Sequence, residues 1–326
     1  MFNEKSTYSV LKRFWGLAII ALFCGAAICL VWRCHRIKAA LAEEQSRLVD
    51  SLIDSVSAAN RNSNPIRVAL FDANLDDGSA TKDLRRFLDA ESTFVWKSVS
   101  PTDIQAGALE GFNVVIFPGG IAPQQAAVLG DDGKQATRKF VQAGGGYVGI
   151  CGGAFLATAK YDWGMALVNA KPLTGKIDIP GKGMVSIAAR GAGTVKMELT
   201  DAGKSVFGDS PGLLDIRYSG GPIISPAGMS DLSKYVSLAV FRTEVWEYEP
   251  QQGSMIDTPA IIAGRFGKGR VIIFSPHPEM TAGLEFLVRC AILATARTRS
   301  AQEDSVTVVD DSPRGSAACI LANYSP

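Results

Sequence analysis

The sequence predicts an α/β protein in which a doubly wound parallel sheet carries helices on both faces, preceded by a transmembrane helix. From residue 66 onward, apolar strand-like runs alternate with helical patterns, which is typical of a parallel sheet with covered faces. Ahead of them, residues 14–32 form an uncharged apolar run, and roughly 20 such residues cross a bilayer as a helix. These two observations define the predicted architecture.

The apolar run allows two interpretations, an uncleaved anchor or a cleaved signal peptide. Trp15 and Trp32 suit the two membrane interfaces of an anchor. A signal peptide would be cleaved near residues 40–42, but the run is long for that purpose and three basic residues, Arg33, Arg36 and Lys38, intervene. An anchor is favoured, so we expect a single-pass membrane protein that contacts the membrane through residues 14–32. Basic residues on both sides of the run leave open which side the folded domain occupies.

Four regions follow from this pattern: residues 1–36 as the anchor, 37–65 as a helical stalk and linker, 66–297 as the α/β domain and 298–326 as a polar, disordered tail. In the first half of the domain the elements, in order, are strand 66–71, helix 81–90, strand 94–99, a helix opened by Pro101, strand 113–117, helix 134–143, strand 147–150 and helix 154–159. The second half is expected to be antiparallel or mixed, with strands 185–189, 194–199, 213–218, 237–241, 260–266 and 270–274 and a closing helix 284–296.

Charge and histidine content exclude two classes of function. The formal net charge is +1, from 33 basic and 32 acidic residues, so nucleic acid is not an expected partner. The chain has two histidines, His35 beside the apolar run and His277 in the domain. A site with several histidine ligands is therefore excluded, and we expect neither a metal nor another cofactor.

Cys151 is the candidate nucleophile. It follows an apolar strand and precedes a helix, within residues 149–153 (Gly-Ile-Cys-Gly-Gly). A nucleophile elbow needs small neighbours because its central residue takes a strained turn conformation. On these five residues alone, a glycine-rich turn with a buried cysteine is an equally good interpretation.

A candidate base and a candidate oxyanion hole complete this chemistry. His277 lies between two prolines, which hold its backbone, and Glu279 is placed two residues on to orient the imidazole. Gly119 and Gly120 end another strand, where their backbone N–H groups, with that of Gly152, could bind a developing oxyanion.

Together these motifs resemble the class I glutamine amidotransferase superfamily. The sequence is most similar to the amidotransferase-like domain at the amino end of biotin-protein ligases, which also occurs as a separate bacterial protein. The residues that carry this closer resemblance lie at 77–79, 115–120, 149–155, 218–222 and 275–279. The resemblance covers about residues 66–297 and implies a flavodoxin-like fold. Nothing resembles a biotin ligase catalytic domain.

Two departures from the superfamily bear on the substrate. Members that use glutamine usually carry glutamine four residues after the cysteine, where this chain has Phe155. No synthetase domain is present to receive ammonia, so a separate acceptor or synthetase subunit is a possible partner. We expect Phe155, Arg217 and Tyr218 to contact the substrate, with a structural role for the last two equally open.

Two functions are compatible with these residues. The first is a hydrolase or amidotransferase-like enzyme in which Cys151, His277 and Glu279 act on an unknown small-molecule or peptide amide, or another acyl substrate. The second is a membrane-tethered module that binds a ligand or partner without catalysis on the same scaffold. The complete Cys, His and Glu set favours the enzyme.

Overall fold

The computed structural model describes residues 4–61, 64–73, 79–181, 183–187, 190–210, 212–246 and 253–297, with side chains from Leu30 onward. The chain divides into two compact units, with the boundary between Arg47 and Leu48. The predicted tail, residues 298–326, lies outside the described residues, as do Asp77 and Gly78 of the family motif.

The first helix corrects the predicted membrane location. Helix α1 runs without interruption from Glu4 to Arg61 and contains the predicted span, of which the side chains of residues 14–29 lie outside those described. No helix in the described part of the chain is long and apolar enough to cross a membrane. The predicted single-pass membrane location, with its membrane contact through residues 14–32, is therefore wrong.

The α/β domain follows this helix in a regular alternation. In chain order its elements are β1 (Ile66–Phe71), α2 (Ser79–Ala90), β2 (Phe94–Val99), α3 (Pro101–Gln105), a 3-10 helix (Ala108–Gly111), β3 (Val114–Phe117), α4 (Ala122–Gln142), β4 (Gly146–Ile150), α5 (Gly152–Ala157), β5 (Ala170–Pro172), β6 (Lys176–Ile179), β7 (Gly183–Ser186), β8 (Ala192–Leu199), α6 (Asp201–Phe207), β9 (Leu214–Ser219), β10 (Ile224–Pro226), β11 (Val236–Phe241), β12 (Pro259–Phe266), β13 (Gly269–Phe274), a second 3-10 helix (Pro278–Met280) and α7 (Glu285–Thr295).

Five of the nine strands of the central sheet are parallel, in the order β2-β1-β3-β4-β13. Their residues are almost entirely apolar, and every position of β3 and β4 is buried, as expected of strands covered on both faces. The same strand order is found in flavodoxin-like sheets. The structure is thus mixed α/β with a large, mostly parallel central sheet, which fits the flavodoxin-like fold.

The remaining four strands extend the sheet in antiparallel fashion, in the order β12-β11-β8-β9. β12 and β13 form the hairpin that the glycines at 267 and 269 predict. The edge strand β9 lies four strands from β13 in the sheet, yet Arg217 on β9 bridges to His277 just after β13. The antiparallel half therefore curls back over the end of the parallel half.

Two apolar clusters, one on each face, hold the sheet between its helices. The first contains residues of α2, α6 and α7 together with Leu48 and Leu52, near the end of α1. The second contains residues of α3, α4 and α5. Leu52 has no exposed surface, and complete burial of a leucine contributes about 1.5–3 kcal/mol. The last turns of α1 therefore belong to the core of the second unit.

Several elements differ from their sequence-based predictions. Helix α4 begins at Ala122, well before the predicted helix 134–143, and is interrupted at Gly130, where φ is 63° and ψ is 177°. The predicted strand 185–189 is shifted to β7, which pairs with β6 in a separate two-stranded sheet; residues 188 and 189 lie outside the described part. Helix α6 and strands β5, β6 and β10 are short, at three to seven residues, and too brief for a periodic pattern to develop.

Candidate functional site

The chemically active side chains predicted from the sequence lie at the carboxyl ends of β3, β4 and β13. Gly119 and Gly120 follow β3, Cys151 follows β4, and His277 follows β13. These strands are adjacent and parallel, so their carboxyl ends meet at one edge of the sheet. Ligands of open α/β sheets bind at that edge.

Cys151 has the backbone conformation of a nucleophile elbow. Its φ is 50° and its ψ is −98°, an unfavourable combination for a residue with a side chain, which costs about 1–3 kcal/mol. Its N–H donates to the Phe274 carbonyl at 2.9 Å. A side chain on Gly152 would collide with the Gly120 carbonyl, and one on Gly153 with the Phe117 carbonyl. The turn thus requires small neighbours on the helical side of Cys151.

The thiol of Cys151 is only 7% exposed. Its Sγ donates to the Ser219 carbonyl at 3.4 Å, so the end of β9 lies against the end of β4. Among the described residues, Ser219 is a contact that the sequence does not indicate, since a backbone carbonyl leaves no motif.

His277 and Glu279 form a buried pair. The Nδ1 of His277 lies 2.7 Å from Oε1 of Glu279, and the two residues are 4% and 1% exposed. The sequence predicts an extended segment here, but Pro278–Met280 is a 3-10 helix with His277 at its amino end. The tight turn still brings the carboxylate to the imidazole because Glu279 is the second residue of that turn.

Backbone contacts fix the position of His277. Its N–H donates to the Arg217 carbonyl at 2.8 Å, and its own carbonyl accepts from the Thr281 hydroxyl at 2.8 Å. The same hydroxyl accepts from the Arg217 N–H at 3.0 Å. Thr281 therefore ties the imidazole segment to β9.

The electrostatic surroundings of His277 favour its charged form. Burial acts to lower the pKa of His277, but the hydrogen bonds and charges of Cys151 and Glu279 outweigh it and raise this pKa to about 10. Nε2 makes no hydrogen bond of good geometry, although the Cys151 thiol is near enough to affect the pKa. Burial raises the pKa of Glu279, while His277 opposes that change. We place their shared proton on Nδ1, since imidazole is the stronger base.

Gly119, Gly120 and Gly152 line the space beside these side chains. A Cβ on Gly119 would lie 2.8 Å from Cε1 of His277, and one on Gly152 would lie 3.0 Å from the Gly120 nitrogen. Neither the Gly120 nor the Gly152 N–H donates a backbone hydrogen bond within the described chain. Both N–H groups thus lack a backbone acceptor among the described residues, as the donors of an oxyanion hole must.

The predicted substrate contacts divide into two groups. Tyr218 is buried and donates to the Gly221 carbonyl at 2.8 Å. Burial raises the pKa of the Tyr218 hydroxyl, and Cys151 lies near enough for its charge to raise that pKa as well. Arg217 is half-buried, and its backbone contacts His277 as described above. Phe155, by contrast, packs against the cluster on the α3–α5 face, which does not include Cys151. The structure brings Tyr218 to the candidate nucleophile, and the Phe155 N–H donates to the Cys151 carbonyl at 3.0 Å, while the Phe155 ring packs on the α3–α5 face.

Sequence reasoning missed two further buried side chains. The Nε2 of Gln125, on α4, donates to the Pro118 and Gly119 carbonyls at 3.3 and 3.4 Å and so holds the glycine turn. Arg190, just before β8, is 1% exposed and close enough to Tyr218 to influence its pKa. Neither residue lies in a recognisable motif, since only the tertiary fold brings them here. Within the described residues, no group of three or more His, Cys, Asp or Glu side chains could hold a metal ion.

The fold and the strand-end residues define an amidotransferase-like α/β domain, and the comparison with protein families identifies it more closely. Residues 79–312 match the family described as biotin-protein ligase, N terminal. The match covers more than half of the chain, so the chain belongs to this family, and the resemblance found in the sequence is confirmed. No curated protein matches the chain.

The comparison with solved structures finds proteins of different kinds. A cytoplasmic protein from Salmonella typhimurium is 11% identical with a TM-score of 0.46, over 72% of this chain and 100% of the other. A thua-like protein from Bacteroides uniformis is 14% identical with a TM-score of 0.48, over 72% and 93%. A β-galactosidase from Rahnella sp. is 13% identical with a TM-score of 0.44, over 74% of this chain and 31% of the other. All three identities are too low to indicate a shared substrate.

Proposed function

We propose that this protein is a cysteine-dependent acyl hydrolase or acyl transferase of the amidotransferase-like class, with Cys151 as nucleophile and His277 as base. The observation that carries the proposal is the arrangement around His277. Glu279 occupies Nδ1 at 2.7 Å, Nε2 has no other partner of good geometry among the described residues, and Cys151 lies beside the ring. A nucleophile, a base and an orienting carboxylate in that order form an activated nucleophile.

The reaction begins from the ion pair in which the thiol proton has already passed to Nε2 of His277, as the raised pKa of that imidazole favours, and the thiolate Sγ of Cys151 bonds to the acyl carbon. The carbonyl electron pair moves to oxygen, and the N–H groups of Gly120 and Gly152 stabilise the resulting oxyanion. As the tetrahedral intermediate collapses, the leaving amine takes the proton from His277. Water, or an acceptor amine, then repeats these steps on the thioester and regenerates the thiol.

The present hydrogen bond from Cys151 to Ser219 does not oppose this scheme. It points the thiol proton toward a carbonyl oxygen 3.4 Å away rather than toward His277, and catalytic hydrogen bonds are often long or misaligned until substrate binds. Glu279 acts through His277 and is a positioning residue. Without it the imidazole could present the wrong tautomer to the thiol.

Reactivity of the thiol tests the proposal directly. In peptide-resolved alkylation by iodoacetamide from pH 5 to 9, Cys151 should react with an apparent pKa well below the value of about 8.5 for a free cysteine. His277→Gln should move that value back toward 8.5. Cys290, half-buried on α7, is an internal control whose profile should not respond to His277→Gln.

The proposal would be contradicted if the apparent pKa for alkylation of Cys151 lay near the free-cysteine value of about 8.5 and did not change in His277→Gln. Turnover supplies the second arm, with a panel of amides and esters tested on the unmodified protein and on Cys151→Ala. If Cys151→Ala left all turnover unchanged, the domain would be better explained as a binding module without catalysis.

Free glutamine is not the expected substrate. In relatives that use glutamine, a polar side chain at the position of Phe155 meets the carboxamide, and a phenyl ring offers no hydrogen bond. A lost bond of this kind costs about 1–3 kcal/mol, roughly tenfold or more in rate. We expect little or no ammonia release from glutamine, and Phe155→Gln provides the comparison. Robust release by the unmodified protein would refute this prediction.

A further inference from the structure

Arg190 carries a buried positive charge next to the candidate active site. Its side chain is 1% exposed. Nη1 donates to the Ser254 hydroxyl at 3.1 Å, and the guanidinium carbon lies 5.3 Å from the centre of the Trp246 ring. Nε and Nη2 have no hydrogen-bond partner within the described chain. The Tyr218 hydroxyl lies near the guanidinium and interacts with it, but neither donor of the Nε–Nη2 edge has an acceptor at hydrogen-bond geometry in the described chain.

An unsatisfied buried guanidinium is costly. Arginine remains charged in proteins, and a charge removed from water is tolerated when it is paired and hydrogen-bonded. No carboxylate of the described residues forms an ion pair with Arg190. The hydroxyl of Ser254 and the face of Trp246 compensate the charge only in part. The arrangement calls for an anion that the described residues do not supply.

The position of Arg190 connects it to Cys151. Ala192 on β8 pairs with Ser219 on β9, and the Ser219 carbonyl accepts the hydrogen bond of the Cys151 thiol. Arg190 precedes that strand pair by two residues, at the same end of the sheet. The proximity of Arg190 and Cys151 to Tyr218, described above, agrees with this placement, since both affect the hydroxyl of that tyrosine.

We propose that the substrate carries a carboxylate group and that the Nε–Nη2 edge of Arg190 binds it while Cys151 attacks an acyl group of the same molecule. The inference rests on the proposed function and assigns its substrate class. The two donors of one guanidinium edge match the two coplanar oxygens of a carboxylate. One guanidinium also neutralises one carboxylate, whereas a phosphate dianion would leave an unpaired negative charge in the same buried space.

Protection of Cys151 from alkylation tests this binding without requiring turnover. The probes are succinanilic and glutaranilic acid, which combine an amide with a carboxylate, and the methyl ester of each, which is neutral. Each is titrated into the full-length protein during iodoacetamide labelling of Cys151. The better acid should protect Cys151 at a concentration about tenfold or more below that of its ester, as expected for charge-assisted hydrogen bonds. Inorganic phosphate should protect less well than the acid.

Variants locate the effect at Arg190. Arg190→Met should remove the preference for the acid. Arg190→Lys should keep part of that preference, because lysine retains the positive charge but lacks the two coplanar donors of the guanidinium edge. Arg270 is a half-buried arginine at the beginning of β13, the opposite end of that strand from His277. Arg270→Met should leave the preference unchanged. If Arg190→Met does not fold, the acid-to-ester ratio of the unmodified protein and of Arg190→Lys decides the question.

Equal protection by acid and ester, no protection by either acid, or better protection by phosphate would each overturn the carboxylate assignment. So would a folded Arg190→Met protein that still prefers the acid. These outcomes are separable from failure of the proposed function. Protection by the acid without any turnover would retain the binding site and contradict catalysis, while equal turnover of acid and ester would retain catalysis and contradict the binding site.

Discussion

The imidazole of His277 is confined between a glycine and a carboxylate. A Cβ at position 119 would lie 2.8 Å from Cε1 of the ring and 3.1 Å from Cβ of Ala80, and Glu279 holds the ring at Nδ1. The ring therefore has little freedom to move. Its position depends on a residue with no side chain, which explains why a glycine here matters as much as the reactive groups.

Substitution of Gly119 by alanine should displace the imidazole. Overpacking of this kind costs about 1–3 kcal/mol of stability, and the alkylation rate of Cys151 at pH 7 should fall by about tenfold or more if His277 activates the thiol. The matched control is Gly111→Ala, since a Cβ at Gly111 has no atom within 4 Å; its stability should stay within about 0.5 kcal/mol. Unchanged alkylation in a folded Gly119→Ala protein would count against a role for His277.

The raised pKa of His277 predicts a pH-dependent contribution to stability. A histidine whose pKa is higher in the folded state stabilises the fold fully below its unfolded value, here 6.5, and this contribution is lost as the pH rises to about 10. The free energy of unfolding in urea should therefore be higher for the unmodified protein than for His277→Gln at low pH. This difference should shrink as the pH rises between these limits, by roughly 1.4 kcal/mol for each unit by which folding raises the pKa of His277. A pH-independent difference would contradict the raised pKa.

Single residues were predictable where a motif surrounds them. Cys151, His277 and Glu279 each follow an apolar strand and adjoin glycines or prolines, and the structure brings all three to one edge of the sheet. Arg190 and Gln125 have no such surroundings, and their burial depends on strands distant in sequence. A buried guanidinium looks like any surface arginine until the fold is known.

The contact between β9 and the second 3-10 helix joins the two halves of the sheet at the site. Two hydrogen bonds cross this contact, from the His277 N–H to the Arg217 carbonyl and from the Arg217 N–H to the Thr281 hydroxyl. The same hydroxyl donates to the His277 carbonyl within its own segment. The arrangement holds the edge strand against the imidazole segment. The antiparallel half is therefore part of the candidate site rather than an appendage to it.

Thr281→Val should loosen this contact while preserving the shape of the side chain. The loss of its hydrogen bonds should cost about 1 kcal/mol or somewhat more. The apparent pKa of Cys151, measured by alkylation, should also move toward 8.5, because His277 loses its support. Thr281→Ser retains the hydroxyl and should behave like the unmodified protein. A stability loss with no change in the alkylation profile would limit Thr281 to a structural role.

Elements were predictable when they were long and apolar. β1 and β2 begin and end at the residues that the pattern predicts. The length of α4 was underestimated because Gly130 and Gly133 interrupt its pattern, and the curl that brings β9 to His277 has no local signature at all. Such a curl arises from strand pairing over long sequence distances, which a single sequence does not display.

The two-unit organisation gives the end of α1 an unexpected role. Residues 37–65 were predicted to form a stalk and linker outside the domain, whereas Leu48 and Leu52 pack in the first apolar cluster and Arg265 donates to the Ser51 hydroxyl at 2.9 Å. The helical pattern of this segment was visible in the sequence. The surface against which it packs was not, because that surface forms only when the sheet is complete.

Leu52→Ala should therefore destabilise the domain by about 2–5 kcal/mol. The matched control, Asp54→Ala, changes an exposed side chain of the same helix and should alter stability by no more than about 0.5 kcal/mol. Thermal or urea unfolding of the full-length chain measures both. A Leu52→Ala protein as stable as the control would show that α1 is not part of the core.

The placement of β13 between β4 and β12 also determines when the thiol gains its neighbours as the ribosome makes the chain. Cys151 is translated more than a hundred residues before His277, and at several residues per second that interval lasts for seconds or longer. Throughout it the sheet lacks the strand that must lie beside β4 and the thiol lacks its imidazole; Ser219, whose carbonyl accepts from the thiol, is made 68 residues after Cys151. The surroundings of Cys151 are therefore incomplete in a growing chain until the second half has been made.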